Sequence, residues 1–314
     1  MNIRRGFATS AFCSFLTLAV LPVPAGHAAE GGYSNYIPGT YGDFGMALEP
    51  AGKLTLRNDL YYYGADTEQS VRSGRSVFDM DLTFFMNFTT LVYKPEVQFL
   101  GGQYAFGVFI PLVYVELEAD LGTRGMTRGV EDDAAGLGDL VWIPILLYWN
   151  HGNLNASFAQ FIVSPTGDYS TNNLVNAGLN YWSFDSNVAV TYFNGETGQD
   201  YSVNLGWLYN TENEDTDYQT GQELHVDYIA NQWFSETFAL GVEGFYMDQI
   251  NGDSGSGAVL GDFKAQAAGI GPAVLWATKF GKQDVTFIAK WLHEFHAENR
   301  LEGDNVFLSF SMDW

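Results

Sequence analysis

Five clusters of side chains have residue types that could do chemistry. His293, Glu294 and His296 fall within four positions and are donor types of a divalent-metal site. Gly252-Asp253-Ser254-Gly255 has the make-up of the segment around a serine nucleophile, although no histidine segment accompanies it. Glu223, His225 and Asp227 recur at every second position, and the acidic runs Glu131-Asp132-Asp133 and Glu212 to Asp217 could attract cations. Which of these groups can converge depends on the elements that carry them.

Those elements are strands and the loops between them. On a strand, His293 and His296 project to opposite faces, so only Glu294 and His296 could share an ion; no metal and no other cofactor is expected. Ser254 falls in a Gly-rich loop, and the acidic runs lack the spacing of a calcium loop, so they are expected to face solvent or to bridge lipopolysaccharide through divalent ions. The chain is therefore not expected to be an enzyme.

The strand reading is clearest at the C-terminus. Val306, Leu308, Phe310, Met312 and Trp314 alternate with polar residues, and Phe307 alone breaks the pattern. This predicts a strand that closes a barrel against Lys53 to Tyr63, where Leu54, Leu56, Leu60 and Tyr62 share one face and Lys53, Thr55, Arg57 and Asp59 the other. In Asp79 to Tyr93, Met80, Leu82, Phe84, Met86 and Phe88 form the apolar, lipid-facing side, opposite Asp81, Thr83 and Asn87. Thirteen such segments can be drawn, near 53–63, 79–93, 98–117, 137–149, 154–164, 174–184, 187–194, 200–210, 222–232, 237–249, 265–280, 284–297 and 305–314. An odd number is disfavoured for a single-chain bacterial barrel. The expectation is thus an all-β, transmembrane, antiparallel up-and-down β-barrel of twelve strands, with fourteen as the alternative and the miscount placed near 187–194 and the turn Gly195 to Gln199. Connections alternate in length. Short turns fall at Lys94-Pro95-Glu96, Asn150 to Asn153, Asp185-Ser186 and Gly281-Lys282, and long loops at Gly64 to Ser76, Ala119 to Gly136, Pro165 to Asn172, Thr211 to Gly221 and Asn251 to Asp262. A membrane barrel sorts its loops in this way.

The first residues carry Arg4 and Arg5, an apolar run from Ala11 to Leu21, then Pro22, Pro24 and Gly26-His27-Ala28. This reads as a secretory signal cleaved after Ala28, too short to span a bilayer, and it contains the only cysteine, Cys13. Residues 29–52 are rich in Gly, Pro and Tyr and are expected to form an irregular lead-in or plug, with the barrel occupying 53–314. A formal charge of −23 argues against a nucleic-acid partner, while 46% hydrophobic and 16% aromatic content argues against disorder.

If the apolar alternates face lipid, the opposite faces fill the lumen. The candidate lining residues are Arg57, Asp59, Asp81, Glu223, His225, Asp227, Glu243, Lys290, Glu294 and His296. They could set the selectivity of a polar passage, or simply satisfy one another inside a filled barrel. An apolar path lined by residues such as Phe85, Phe245 and Leu292 would instead suit hydrophobic solutes. Tyr62, Trp149, Trp276, Trp291 and Trp314 near strand ends are expected in the membrane girdle.

Several segments are similar to an outer-membrane β-barrel family named for the meta-cleavage pathway of phenol degradation. They are Pro38 to Phe44, Arg57-Asn58-Asp59 with Tyr61 to Tyr63, Pro165 to Tyr169, Asn180 to Phe184, Asn210 to Asn213, Thr216 to Asp227, Asp253 to Gly257, His293 to Phe295 and Glu298 to Gly303. The resemblance implies a Gram-negative outer-membrane location and a porin-like transport role for small hydrophobic or aromatic compounds, including aromatic-compound uptake. The partners it implies are outer-membrane lipid and lipopolysaccharide, the barrel-assembly machinery and such a solute. A structural or adhesive barrel with a blocked lumen, and a barrel enzyme acting on lipid or peptide at the outer rim, are the alternatives.

Overall fold

The computed structural model describes residues 29–32, 34–72, 75–123, 126–259, 261, 263–281 and 283–314. The expected export signal, with its cleavage position after Ala28, lies outside them. Segments rich in β-branched and aromatic residues with period 2 form strands, as their shape on a pleated surface requires. In order these are β1 (Leu54–Arg72), β2 (Arg75–Tyr93), β3 (Gln98–Phe99), β4 (Gly102–Thr123), β5 (Met126–Leu137), β6 (Leu140–His151), β7 (Leu154–Ser164), β8 (Ser183–Asn194), β9 (Gln199–Asn210), β10 (Glu223–Ser235), β11 (Phe238–Gln249), β12 (Gln266–Phe280), β13 (Gln283–Glu298) and β14 (Glu302–Asp313).

Consecutive strands pair antiparallel except across β3 and β5, where β2 pairs β4 and β4 pairs β6, and β14 pairs β1 from Thr55↔Asp313 to Asp66↔Glu302. The result is a closed transmembrane barrel of twelve strands. The two-residue β3 is a small hairpin on β4, and β5 lies beside the outer half of β4, from Leu112↔Leu137 to Thr123↔Met126. At the seam the Trp314 carbonyl accepts the N–H groups of Lys53 and Leu54, and the Trp314 N–H donates to Leu54. Closure gives each of the twelve barrel strands a partner on both sides, the condition for placing a sheet in hydrocarbon.

Turns at 152–153, 195–198 and 236–237 lie at the end of the barrel that carries Lys53 and Trp314; longer segments at 165–182, 211–222 and 250–265 lie at the other. The miscount in the sequence reading arises at 174–184, not at 187–194. Residues 165–182 form no strand, and β8 runs straight through Asp185-Ser186, where a turn was expected. The apolar residues Leu174 and Val175 imitate a strand but are buried in the loop. Their N–H groups donate to Asp132, and those of Thr166, Gly167 and Leu179 donate to Asp139, so side-chain carboxylates take the place of a ladder. Conversely, much of the expected loops Gly64 to Ser76 and Ala119 to Gly136 is strand. Strands that project beyond the membrane can be polar on both faces, which erases the alternation.

The outer surface is apolar over a broad belt, with Leu60, Leu112, Val188, Leu205, Val242 and Ile270 all more than a third exposed. On β8 and β9 the alternation is strict: Val188, Val190, Val203 and Leu205 point out, while Asp185, Asn187, Asp200, Ser202 and Asn204 are buried within. On β6 the phase changes. Val141 and Ile143 face inward, and beyond Pro144 so do Leu146 and Tyr148. Register shifts on both sides of this strand mark a bulge at the proline, which has no N–H to give the ladder.

Candidate functional site

The lumen is divided lengthwise. Along β8 to β11 and β13 many inward residues are polar or charged, set among apolar ones such as Leu208, Phe245 and Leu292, and residues 34–50 run down the interior against them. The Tyr36 hydroxyl donates to Asp227 at 3.2 Å, and the Tyr36 ring stacks on His225 with centroids 4.1 Å apart. Ser34 donates to Glu223 at 2.8 Å and Tyr41 to Asp185 at 2.5 Å. Farther along, the Gly45 N–H donates to Asp200 at 2.8 Å and the Ala47 N–H to Thr191 at 3.0 Å. His225 itself stands between Asp185 (3.0 Å) and Asp227 (3.5 Å). Its ring fills the space above Gly206, where an added Cβ would come within 2.0 Å of it.

Lys290 joins this wall to the internal segment. Its ammonium donates to the carbonyls of Gly39 (2.7 Å) and Gly42 (2.5 Å), lies 3.2 Å from Glu243, and sits 4.6 Å above the Phe307 ring. Gly39 adopts φ +80°, a conformation that turns its carbonyl toward the lysine at little cost for glycine alone. Arg57 pairs with Asp43 of the segment and with Asp59 at 2.9 Å, and donates to Ser309 at 3.1 Å. Glu294 accepts from the Tyr63 hydroxyl at 2.9 Å and the Gly303 N–H at 2.8 Å, with Arg300 3.6 Å away.

The other side of the lumen is apolar. Tyr61 and Tyr63 of β1, Leu82, Phe84, Met86 and Phe88 of β2, Phe109 and Val113 of β4, Ile143 and Leu146 of β6, and Phe161 and Val163 of β7 face a cavity of ≈ 380 Å³. Residues from Ser34 to Tyr41, with Met46, and Asp185, Asn187, Asn204 and Leu208 of β8 and β9 close its remaining side, and Arg57, Asp59 and Arg300 also border it. Rings are in direct contact along this wall: Phe88 and Phe109 lie 4.4 Å apart, Tyr61 and Phe307 4.7 Å, and Tyr41 reaches Phe161 at 5.3 Å. Near the loop end Asp139 also lines the cavity; burial raises its carboxyl pKa, against the lowering effect of the N–H groups it accepts.

Of the residues expected in the lumen, Arg57, Asp59, Glu223, His225, Asp227, Glu243, Lys290 and Glu294 point inward, and all but Arg57 are almost completely buried. Asp81 and His296 do not. On β2 the faces are inverted: Met80, Leu82, Met86 and Phe88 are buried inside, while Asp81 and Phe85 are exposed outside. Period 2 separates two faces without saying which one is inward, and here the apolar face lines the cavity. His296 lies past a register shift opposite Ala268 and Gly269, which turns it to the exposed side. It therefore cannot share an ion with the buried Glu294. His293 is exposed too, 3.0 Å from Asp304. The expected path residues Phe245 and Leu292 are packed in the core, and neither lines the cavity. Ser254 is exposed and tied to Gln219 across a loop.

Among the aromatic residues assigned to the girdle, Trp276, Trp291 and Trp314 are about half exposed and Tyr62 is on the outer face of β1 beside Phe85. Trp149 donates its indole N–H to Leu100 by the turn end. The residues that sequence reasoning missed are the apolar cavity wall and Tyr36 and Tyr41. A signal existed for the wall in the apolar faces of Asp79 to Tyr93 and its neighbours, but it reads equally well as lipid contact.

The sequence model of the family described as "Putative MetA-pathway of phenol degradation" matches residues 65–310. No protein of curated function matches the chain. Among solved structures, an outer membrane channel from Pseudomonas putida F1 is similar with a TM-score of 0.61 and 16% identity, over 88% of this chain and 98% of that one. A FadL homologue from Pseudomonas aeruginosa gives a TM-score of 0.42 at 8% identity, over 92% and 99% of the two chains. The translocator domain of the autotransporter NalP from Neisseria meningitidis gives 0.43 at 11%, over 85% and 90%. The first likeness is one of fold; the other two are too distant to carry an argument.

Proposed function

Because the chain belongs to the phenol-degradation family whose model spans most of it, we propose that it is an outer-membrane channel that passes small hydrophobic or aromatic molecules without covalent chemistry. The observation that carries this reading is the apolar cavity of ≈ 380 Å³ beside the internal segment. An apolar cavity of about 150 Å³ already admits one benzene ring, and small-molecule sites are commonly about 300–1,000 Å³. A ring-sized solute fits here, and the phenylalanine and tyrosine faces offer it offset-stacked and edge contacts. Hydrated ions are disfavoured on that side because they would lose water without gaining partners. The apolar outer belt and the closed barrel support placement in a bilayer, and the alternation of short and long connections supports an orientation with the turns in the periplasm.

The polar side supports a second reading, a structural barrel with a blocked lumen, since residues 34–50 act there as a plug. Permeation separates the two. Purified protein in liposomes is expected to speed entry of phenol-like solutes over sugars of similar mass, and deletion of the protein to slow growth on aromatic compounds at low concentration. Absence of solute-dependent permeation together with unchanged growth would leave the blocked barrel standing.

A further inference from the structure

The internal segment begins at the loop end of the barrel, in a site that no passage of solute explains. The Ala29 nitrogen donates to Asp253 Oδ2 at 2.6 Å, and both residues are buried. The Glu30 carboxylate accepts from Asn213 at 3.0 Å and Thr216 at 3.2 Å, and the Gly32 carbonyl accepts from the Leu301 N–H at 3.3 Å. Asp253 also accepts from the Tyr218 hydroxyl at 2.5 Å, the Gly221 N–H at 2.9 Å and the Gln249 side chain at 2.7 Å. All of these donors are neutral, and no cationic side chain of the described residues forms an ion pair with Asp253. Burial accordingly raises its carboxyl pKa, and the four hydrogen bonds only partly counter this.

Ala29 has a second peculiarity, a φ of 61°. Alanine is disfavoured there because its Cβ crowds the peptide that precedes it. A residue at a chain start has no preceding peptide, so the same geometry then carries no penalty. Both features, a buried anion lacking a cation and an alanine in a left-handed conformation, meet at the atom that the signal pattern makes the new N-terminus.

We propose that Ala29 is the first residue of the exported chain and that its α-ammonium is the counter-ion of Asp253, so that removal of the signal completes the cap that anchors the internal segment. Hydrolysis of the bond between Ala28 and Ala29 by a signal peptidase consumes one water, leaves a carboxylate on Ala28 and frees an amine on Ala29. That amine takes up a proton at neutral pH, since its ordinary pKa is about 7.7–8.0. One neutral donor becomes three donors with a positive charge, facing a carboxylate already positioned by Tyr218, Gly221 and Gln249. The latch rests on the export reading of the N-terminus and not on the solute, so it stands or falls separately from transport.

The test uses full-length protein secreted by its own signal and purified folded in detergent. Terminal sequencing should begin at Ala29. Brief treatment with an amine-methylating reagent, followed by mass spectrometry of the N-terminal peptide, should find the α-amine modified roughly tenfold more slowly than in the heat-denatured chain, as expected of an amine engaged in a charge-assisted hydrogen bond, with exposed Lys279 as the internal control. In Asp253→Asn, which keeps the shape and removes the charge, the α-amine should approach the denatured rate while the barrel remains heat-modifiable. A protein with one glycine inserted before Ala29 should behave likewise. A different first residue, or a wild-type α-amine labelled as fast as in the denatured chain, would overturn the proposal. The wild-type comparison decides even where a variant fails to assemble.

Discussion

The two sides of one lumen solve opposite problems with the same alternating strands. Along β8 to β11 and β13, Asp185, Asp200, Glu223, Asp227, Glu243 and Lys290 are buried, and each finds a partner on residues 34–50 or on a neighbouring strand. Along β1, β2, β4, β6 and β7 the inward residues are mostly apolar beyond Arg57 and Asp59, and a cavity remains. Buried polar groups must be matched and so draw in chain to match them, whereas apolar walls can stay apart around empty space. The difference teaches that the internal segment and the cavity are complementary: polar residues hold the segment in place, and the cavity stays open where apolar residues predominate.

The largest test of this division removes the segment. Replacing residues 34–50 by a Gly/Ser linker should expose the polar wall to water and raise ion flux through reconstituted protein roughly tenfold or more, by single-channel recording, while the apolar wall is unchanged. If the replaced protein stayed electrically closed, the polar wall would not be what the segment seals. Next, Lys290→Ala leaves Glu243 and two carbonyls without their cation. Breaking a buried pair of this kind should cost about 3–5 kcal/mol, visible as a lower midpoint of heat-modifiable unfolding and as faster proteolysis within 34–50. A change on the opposite wall should act differently. Phe88→Asp places a carboxylate in the cavity and is expected to reduce entry of an aromatic solute by roughly tenfold in liposomes with the segment still protected. Equal loss of segment protection in both variants would erase the distinction between the walls. The smallest effects belong to Asp81→Asn and His296→Gln, which alter exposed outer residues and should leave stability within about 0.5 kcal/mol and permeation unchanged.

Much of this was legible in advance. The alternation around Glu223, His225 and Asp227 and that of Asn305 to Trp314 identified strands, and the latter also the closing partner of β14, because apart from Phe307 each face there has one character. Family-level similarity and loop sorting pointed the same way. Reading broke down where a local pattern had two physical meanings. Met80 to Phe88 form an apolar face that suits lipid or an apolar cavity equally, so Asp81 was placed on the wrong side. Residues 174–184 have the apolar content of a strand, yet their N–H groups are satisfied by Asp132 and Asp139 from distant positions. His296 changed faces because one register shift in β13 reverses every side chain beyond it.

Residue order by itself determined the class of this protein: a period of 2 with aromatic, glycine-rich strands and sorted connections can bury its backbone only as a closed barrel. It also determined which residues would carry charge. Only the tertiary structure decided what that charge is for. Asp227, Lys290 and Arg57 lie 191, 251 and 14 positions from segment partners Tyr36, Gly39 and Asp43. Such pairings depend on ring closure, register and the path of residues 34–50 through the lumen, and these are long-range sums of many contacts that leave no local pattern in the sequence.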